Sequence, residues 1–222
     1  MTVSKADFHG DPNVGLYGFV TDRYAIVPDK NIDASCFKVP VIYSTIAQTE
    51  LTGLFAAGNS NGLIVPRIIT EREEDRIRAA IKKINKSINF LKLDVNETCI
   101  GNLILCNDNV AIVSSLLENH ADMISKCLKV PVVTGKILDL DIIGSLCVAT
   151  NKGFLLTING TEEEFGFLKK NLKVNGDIGT VNFGGAFVKS GILANSHAAL
   201  LGKFTTGPES ARIEEALGFM EE

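Results

Sequence analysis

One pattern of residues recurs five times along the chain, and it limits the possible folds more than any other feature. From Gly101 to Ser114, a glycine and an apolar run precede Asn107-Asp108-Asn109, and a second apolar run follows. Asn and Asp tolerate left-handed backbone angles and hydrogen-bond their own backbone, so this arrangement predicts a tight β-hairpin. We take Asn107, the first residue of this turn, as the anchor of the pattern. The equivalent anchors of the other four copies are Thr21, Asn59, Thr150 and Asn195, and successive anchors are 38 to 48 residues apart.

The fifth copy departs from the others at its first residue. Glycine opens four copies, whereas Lys189 occupies this position in the fifth, with Gly191 two places on. A period of this length indicates an array of supersecondary units, each too small to bury its own apolar face. We therefore expect one domain, 1–222, with approximate units at 1–47, 48–94, 95–137, 138–174 and 175–222.

Each gap between hairpins predicts a helix followed by a returning strand. Three helices have clear start signals, either a capping box or a proline in the first turn. The strongest of them runs from Thr70 to near Asn85. Weaker patterns predict helices over 31–38 and 119–129, and a Lys-Val-Pro-Val string at the end of each predicts a return strand. The three start signals are Thr70-x-x-Glu73, Thr161-x-x-Glu164 and Gly207-Pro208-Glu209.

Five units of this kind in a short chain predict an α+β fold that closes on itself. A closed arrangement leaves no exposed sheet edge, whereas an open stack needs capping repeats with polar outer faces. We therefore expect five quasi-identical βαβ-type units in a ring with pseudo-fivefold symmetry, with strands inside and helices outside. The turns of such a ring occupy comparable positions and form a broad, nearly rigid surface.

Composition and charge limit the classes of function. The net charge of −4 and the pI near 5.5 provide no general basic field, so a protein partner is favoured over broad binding to phosphate backbones. No segment has the uninterrupted apolar length that crosses a membrane. The five cysteines form no CxxC pair, which is typical of reduced thiols. These features predict a cytoplasmic protein that does not contact membranes.

Several motifs, in order along the chain, resemble one known family. Over essentially its whole length the chain is similar to the ribosome anti-association factors of the translation initiation factor six family, in their archaeal form. The resemblance implies the pentein fold, also called the α/β propeller. The motifs are Gly58-Asn59-Ser60-Asn61-Gly62, Gly101-Asn102-Leu103-Ile104-Leu105-Cys106-Asn107-Asp108, Gly179-Thr180-Val181-Asn182, Ala194-Asn195-Ser196 and Thr205-Thr206-Gly207-Pro208-Glu209.

The resemblance also implies a function that depends on binding and requires no catalysed reaction. Members of the family bind the large ribosomal subunit beside its L14-type protein and neighbouring ribosomal RNA. They block joining of the small subunit and take part in late maturation of the large one. The resemblance further implies a monomer without a cofactor, released by an SBDS-type protein together with an elongation-factor-like GTPase.

Residues at or near the turns, within the matching motifs, are the candidates for a ribosome-facing surface. The alternative is that Asn and Asp occupy these positions only because tight turns favour them. The candidates are Leu54, Asn59, Asn107, Asp108, Asn151 and Asn195.

The rival function is that of pentein enzymes, which modify guanidinium substrates with a Cys nucleophile and His and carboxylate partners. Here the last cysteine is Cys147, so the fifth unit, where those enzymes keep the nucleophile, has none. His9, His120 and His197 fall near the terminus, at a helix start and in a turn, which places none of them as a general base. We therefore expect no catalytic residues. We also expect no metal site, because the acidic residues after Thr70 point in different directions on their helix.

Overall fold

The structure is a computed structural model that describes residues 3–220. Residues 1–2 and 221–222, the outermost parts of the first and fifth predicted units, lie outside this range. Within it the chain forms fifteen strands and eight α-helices. The strands are β1 (Val3–Ala6), β2 (Phe19–Val20), β3 (Ala25–Val27), β4 (Val41–Tyr43), β5 (Ala57–Asn59), β6 (Gly62–Pro66), β7 (Asn89–Leu93), β8 (Ile104–Cys106), β9 (Ala111–Val113), β10 (Val132–Thr134), β11 (Cys147–Ala149), β12 (Gly153–Thr157), β13 (Asn175–Gly179), β14 (Ile192–Ala194) and β15 (Ala199–Gly202). The helices are α1 (Val14–Tyr17), α2 (Thr52–Phe55), α3 (Glu71–Ile84), α4 (Ile100–Leu103), α5 (Ala121–Leu128), α6 (Ile143–Leu146), α7 (Glu162–Leu172) and α8 (Gly207–Ala216).

Each of the five hairpins belongs to one three-stranded sheet. Two strands pair antiparallel across the predicted hairpin, and a third strand lies parallel to the second. In the second unit, Ala57 faces Ile64 across the hairpin, and Ile64 faces Leu91 on the parallel side. The sheet orders are β2-β3-β4, β5-β6-β7, β8-β9-β10, β11-β12-β13 and β14-β15-β1. The predicted α+β fold of five repeated units is confirmed.

The fifth sheet takes its third strand from the opposite end of the chain. β1 lies parallel to β15, with Val3 paired to Ala199 and Ala6 paired to Gly202. The approximate first unit, 1–47, thus includes a strand that belongs to the fifth sheet. The sequence did not indicate this pairing, because a four-residue strand carries no local signal for a distant partner.

A one-turn helix precedes the hairpin in each of the first four units, where the sequence predicted the start of a strand. The glycine of the repeat lies in this helix, against the backbone of the preceding unit. A Cβ atom on Gly53 would lie 2.1 Å from the carbonyl oxygen of Gly15, and one on Gly101 would lie 2.3 Å from that of Gly53. The glycine therefore permits close contact between units. The fifth unit, with Lys189 at this position, has no such helix in the described chain.

The longer helices begin where the sequence indicated. The side chains of Thr70 and Thr161 each accept a hydrogen bond from the backbone N–H of the glutamate three residues on. Each glutamate carboxylate in turn accepts the backbone N–H of the threonine. Both predicted capping boxes are therefore confirmed, and α3 ends before Asn85. Thr206 forms a third capping box ahead of Pro208, which the sequence analysis missed. These bonds satisfy N–H groups that a helix start leaves unpaired.

Two predicted helices are shorter than expected. The segment 31–38 contains only a 3₁₀ turn at Ser35–Phe37, and 119–129 contains α5 after a 3₁₀ turn at Ser115–His120. In the first case the Asp33 carboxylate accepts the backbone N–H of Ser35. Such local side-chain bonds compete with regular helix formation.

Apolar side chains form five clusters, and each cluster joins two adjacent units. One contains Ile64 of the second unit and Ile104 of the third, and another contains Leu105 of the third and Phe154 of the fourth. The remaining clusters connect the first unit with the second and the fourth with the fifth. The last one packs Val27 of the first unit against residues of the fifth. Apolar contacts therefore run from each unit to the next and from the fifth to the first.

The cysteines are unpaired and mostly lie inside regular structure. All five are free thiols, with Cys106 and Cys147 on strands and Cys127 on α5, as predicted. Among residues 3–220, every helix is too short or too polar to cross a membrane.

Candidate functional site

Buried asparagine side chains join neighbouring units. The Nδ2 atom of Asn59 donates to the carbonyl oxygens of Asn107 and Leu128, at 3.1 and 3.0 Å. Asn107 repeats this arrangement one unit later, donating to Thr150 and Leu172 at 3.2 and 3.0 Å. Each amide therefore fastens one turn to the turn and the helix end of the next unit.

Asn195 makes the same connection between the fifth unit and the first. Its Nδ2 atom donates to the carbonyl oxygens of Thr21 and Phe37, at 3.0 and 3.1 Å. Asn59, Asn107 and Asn195 are 3%, 4% and 2% exposed. Their Oδ1 atoms also accept N–H groups of their own turns. Buried polar groups with this many partners act as structural links.

The two threonine anchors lack this amide. The hydroxyls of Thr21 and Thr150 accept N–H groups within their own turns. A different bond joins the first and second units, because the Tyr24 hydroxyl donates to the Gly62 carbonyl at 3.0 Å. Burial raises the pKa of Tyr24 well above its usual value, so the hydroxyl keeps the proton that it donates.

The residues that follow the five anchors meet in one hydrogen-bonded group, which we call the central turn cluster. It contains Asp22, Ser60, Asp108, Asn151 and Ser196. The Asn151 amide donates to both carboxylates, at 2.7 Å in each case, and its oxygen accepts the Asp108 N–H at 2.8 Å. Asp108 also accepts the Ser60 N–H at 2.9 Å, and Ser196 donates its N–H and hydroxyl to Asp22 at 2.8 and 2.7 Å. All five turns are therefore tied together.

The structure divides the six predicted contact residues into two groups. The three anchor asparagines are buried, and turn chemistry together with bonding between units accounts for them. Asp108 and Asn151 are half-buried in the central turn cluster. Leu54 is half-buried on α2 and packs against the apolar cluster of the first two units. Ribosome contact stays a prediction for all of them, and the last three have more accessible surface for it.

A cavity of about 60 Å³ lies where the units meet, and all five contribute to its lining. Lys189 is the charged residue of this lining, with its ammonium 3.5 Å from the Gly15 carbonyl. Burial lowers the pKa of Lys189 to about 8. Burial also raises the pKa of the Cys106 thiol to about 12 and raises that of Cys147. These thiols are protonated at neutral pH, which disfavours nucleophilic chemistry in the cavity.

The histidines lie away from these thiols. His9 is exposed in the turn after β1, and His197 is exposed in the fifth hairpin turn. His120 lies at the start of α5, as the sequence predicted. None of them lines the cavity.

Exposed apolar side chains are concentrated at the strand ends farthest from the turns. In each unit the second and third strands run in parallel away from the hairpin turn, so residues after these strands lie on the side opposite the central turn cluster. We call this group the far rim. It comprises Tyr43, Ile68, Leu116, Leu140, Ile158, Phe183, Phe187 and Phe204.

Phe183 is the most exposed member of the far rim, and its turn is firmly held. Its side chain is 83% exposed and its φ is 64°, in the left-handed region. The Glu209 carboxylate accepts the N–H groups of Phe183 and Gly184, at 3.1 and 2.8 Å. Burial opposes ionisation of Glu209, but bonds from Thr206, Gly184 and Thr180 lower its pKa to about 2.

The fold and the site define a class of protein: a repeat protein of five interlocked α+β units whose turns are fastened by buried amides. Comparison with known proteins then identifies the family. The eIF-6 family matches residues 3–216. Translation initiation factor 6 of Thermococcus onnurineus (strain NA1) is 38% identical, with 100% of both chains covered. The same factor of Pyrococcus abyssi (strain GE5 / Orsay) is 37% identical, over 99% of this chain and 100% of its own. The chain belongs to the eIF-6 family.

Proposed function

We propose that this protein acts in translation initiation by binding the large ribosomal subunit and sterically preventing its association with the small subunit. The observation that carries the proposal is the similarity of the whole chain to archaeal proteins named translation initiation factor 6. A role in maturation of the large subunit belongs to the same proposal.

The architecture suits a factor that works by occupying space. The apolar clusters pass in cyclic order through all five units, and buried amide bonds join three of the five neighbouring pairs. From this order and from the pairing of β1 with β15 we infer a closed ring with pseudo-fivefold symmetry, strands inside and helices outside, which is the pentein fold. Such a body resists deformation, so once docked at a bridge between subunits it excludes the other subunit.

We assign docking to the far rim, together with Leu54 on α2. Asp108 and Asn151, in the central turn cluster on the opposite side, form the alternative contact surface. Exposed aromatic side chains are frequent anchors of protein interfaces, and Phe183 is fixed in place before any partner arrives. The proposed partner is the L14-type protein of the large subunit with its neighbouring ribosomal RNA. Release by an SBDS-type protein and an elongation-factor-like GTPase completes the proposal, with the factor acting as a cytoplasmic monomer.

Sedimentation with purified subunits tests the proposal. The protein should pellet with vacant large subunits and not with small ones, and it should lower the yield of joined ribosomes at modest magnesium concentration. Failure to pellet with large subunits would refute the ribosomal assignment and leave the fold unaffected.

A pair of variants tests the docking surface. Phe183→Ser should weaken binding by at least about tenfold, which corresponds to about 1.4 kcal/mol. Met220→Ser is the matched control, because Met220 is also exposed but lies past the end of α8, where Ala216 contacts Gly153 on the hairpin-turn side. Equal binding of the large subunit by both variants would show that Phe183 does not contribute to the interface.

The enzyme alternative has a direct test. Pentein chemistry on guanidinium groups requires a thiolate, and burial raises the pKa of the cavity cysteines. Incubation with arginine should therefore release neither ammonia nor citrulline. Turnover that disappears on replacing a cysteine would support the enzyme instead.

A further inference from the structure

Three metal-ligating side chains from separate segments meet near the far rim. His9 follows β1, Asp29 follows β3, and Glu50 precedes α2. One imidazole nitrogen and one oxygen from each carboxylate all lie within 4.8 Å of one another. Ligands around Zn²⁺ lie about 2 Å from the metal and hence roughly 3.4 Å apart, so small side-chain movements would complete a site.

The turn that carries His9 is held in place. Phe8 and Asp11 exchange two backbone hydrogen bonds of 2.9 Å across it, and the Gly10 N–H donates to the Asp7 carboxylate at 2.7 Å. The Phe8 ring lies 4.3 Å from the imidazole, centroid to centroid. These contacts restrict the imidazole, so closure around a metal falls mainly to the two carboxylates.

Negative charge at the cluster lacks a basic partner. Within residues 3–220, neither Asp29 nor Glu50 forms an ion pair with lysine or arginine. A bound divalent cation would neutralise this region.

We propose that His9, Asp29 and Glu50 form a binding site for a divalent transition metal of the Zn²⁺ class. An imidazole with two carboxylates suits Zn²⁺, Co²⁺ or Mn²⁺, whereas Mg²⁺ and Ca²⁺ prefer oxygen ligands alone. Water completes the coordination, because the cluster is open to solvent. The metal fastens the turn after β1, a strand of the fifth sheet, to segments of the first and second units. The sequence analysis considered only the acidic residues after Thr70 and expected no metal site. His9, Asp29 and Glu50 come from separate segments and form no local motif.

Metal titration of the full chain without an affinity tag tests the site. Isothermal titration with ZnCl₂ at neutral pH should give one Zn²⁺ per chain, and saturating Zn²⁺ should raise the thermal unfolding midpoint. His9→Ala and Glu50→Gln should each weaken binding by at least about tenfold and reduce the thermal shift. His197→Ala is the matched control, since His197 is also an exposed histidine in a turn, and this variant should bind Zn²⁺ like the wild type.

Other outcomes overturn the proposal. Unchanged Zn²⁺ affinity in His9→Ala, or an absence of binding in the wild type, would do so. Co²⁺ distinguishes another source of metal affinity, the half-buried thiols of Cys36, Cys99 and Cys106. Thiolate-to-metal absorption bands would assign the metal to cysteine instead, and they would vanish when the responsible cysteine is replaced by serine. Equal unfolding midpoints of all variants without metal establish that the substitutions leave the fold intact.

Discussion

Replacing Asn107 separates two roles of one buried side chain. Its amide nitrogen makes the two bonds to the next unit, and its oxygen accepts the N–H groups of Asn109 and Val110 at 3.0 and 3.2 Å. Thr150 occupies the equivalent position one unit later and keeps only the bonds within its turn. Asn107→Thr should therefore remove the bonds between units alone, whereas Asn107→Ala should remove all four.

The expected magnitudes follow from the number of bonds lost. A neutral hydrogen bond contributes about 1 kcal/mol net. The free energy of unfolding should therefore fall by about 2 kcal/mol in Asn107→Thr and about 4 kcal/mol in Asn107→Ala. Urea unfolding followed by circular dichroism measures both values from the shift of the midpoint.

Asn119→Ala serves as the control for this series. Asn119 is exposed, so its substitution should change the free energy of unfolding by less than about 0.5 kcal/mol. The reasoning fails if the Thr and Ala variants of Asn107 lose the same stability. It also fails if Asn107→Thr matches the wild type, because the bonds between units would then contribute nothing.

Two further predictions concern a glycine and a carboxylate. Gly53→Ala should strongly destabilise the protein, since the new methyl group would lie 2.1 Å from the Gly15 carbonyl. Gly166→Ala in α7 has open space around it and should raise the unfolding midpoint, and the opposite ranking would exclude the close contact as the reason for Gly53. Glu209 has its pKa lowered from 4.5 to about 2, so its stabilising charge is fully present above pH 4.5 and is lost as the pH falls toward 2. Urea midpoints of wild type and Glu209→Gln should therefore converge over that pH range, while exposed Glu215→Gln should follow the wild type throughout.

Local features of the fold could be predicted from the sequence. The helices that start after Thr70 and Thr161 are each capped by hydrogen bonds between a threonine and the glutamate three positions later. A motif of four residues is therefore enough to predict where each helix begins. The hairpins likewise follow from their turn residues. The helix predicted over 31–38 is reduced to a 3₁₀ turn in the structure, because the Asp33 carboxylate accepts the nearby backbone N–H of Ser35.

The candidate site was harder to predict, because asparagine and aspartate both form tight turns and make hydrogen bonds between units. Asn59 satisfies the rule for a turn, and nothing in its neighbours shows that its amide is buried against Leu128 of the next unit. The meeting of Asp22 with Asn151 likewise requires the whole arrangement of units. A repeat in the sequence therefore predicts which residues are equivalent, whereas only the structure shows which of them face each other.

The pairing of β1 with β15 has a consequence for how the chain is made. Residues 3–6 are synthesised before their partners at 199–202, with the other four hairpins between them. β1 therefore stays unpaired until β15 has been synthesised, while the residues of the other four sheets are already available. Contacts between distant segments form slowly, because a long loop must close before they stabilise anything. The fifth sheet is thus completed only after residues 199–202 have been synthesised.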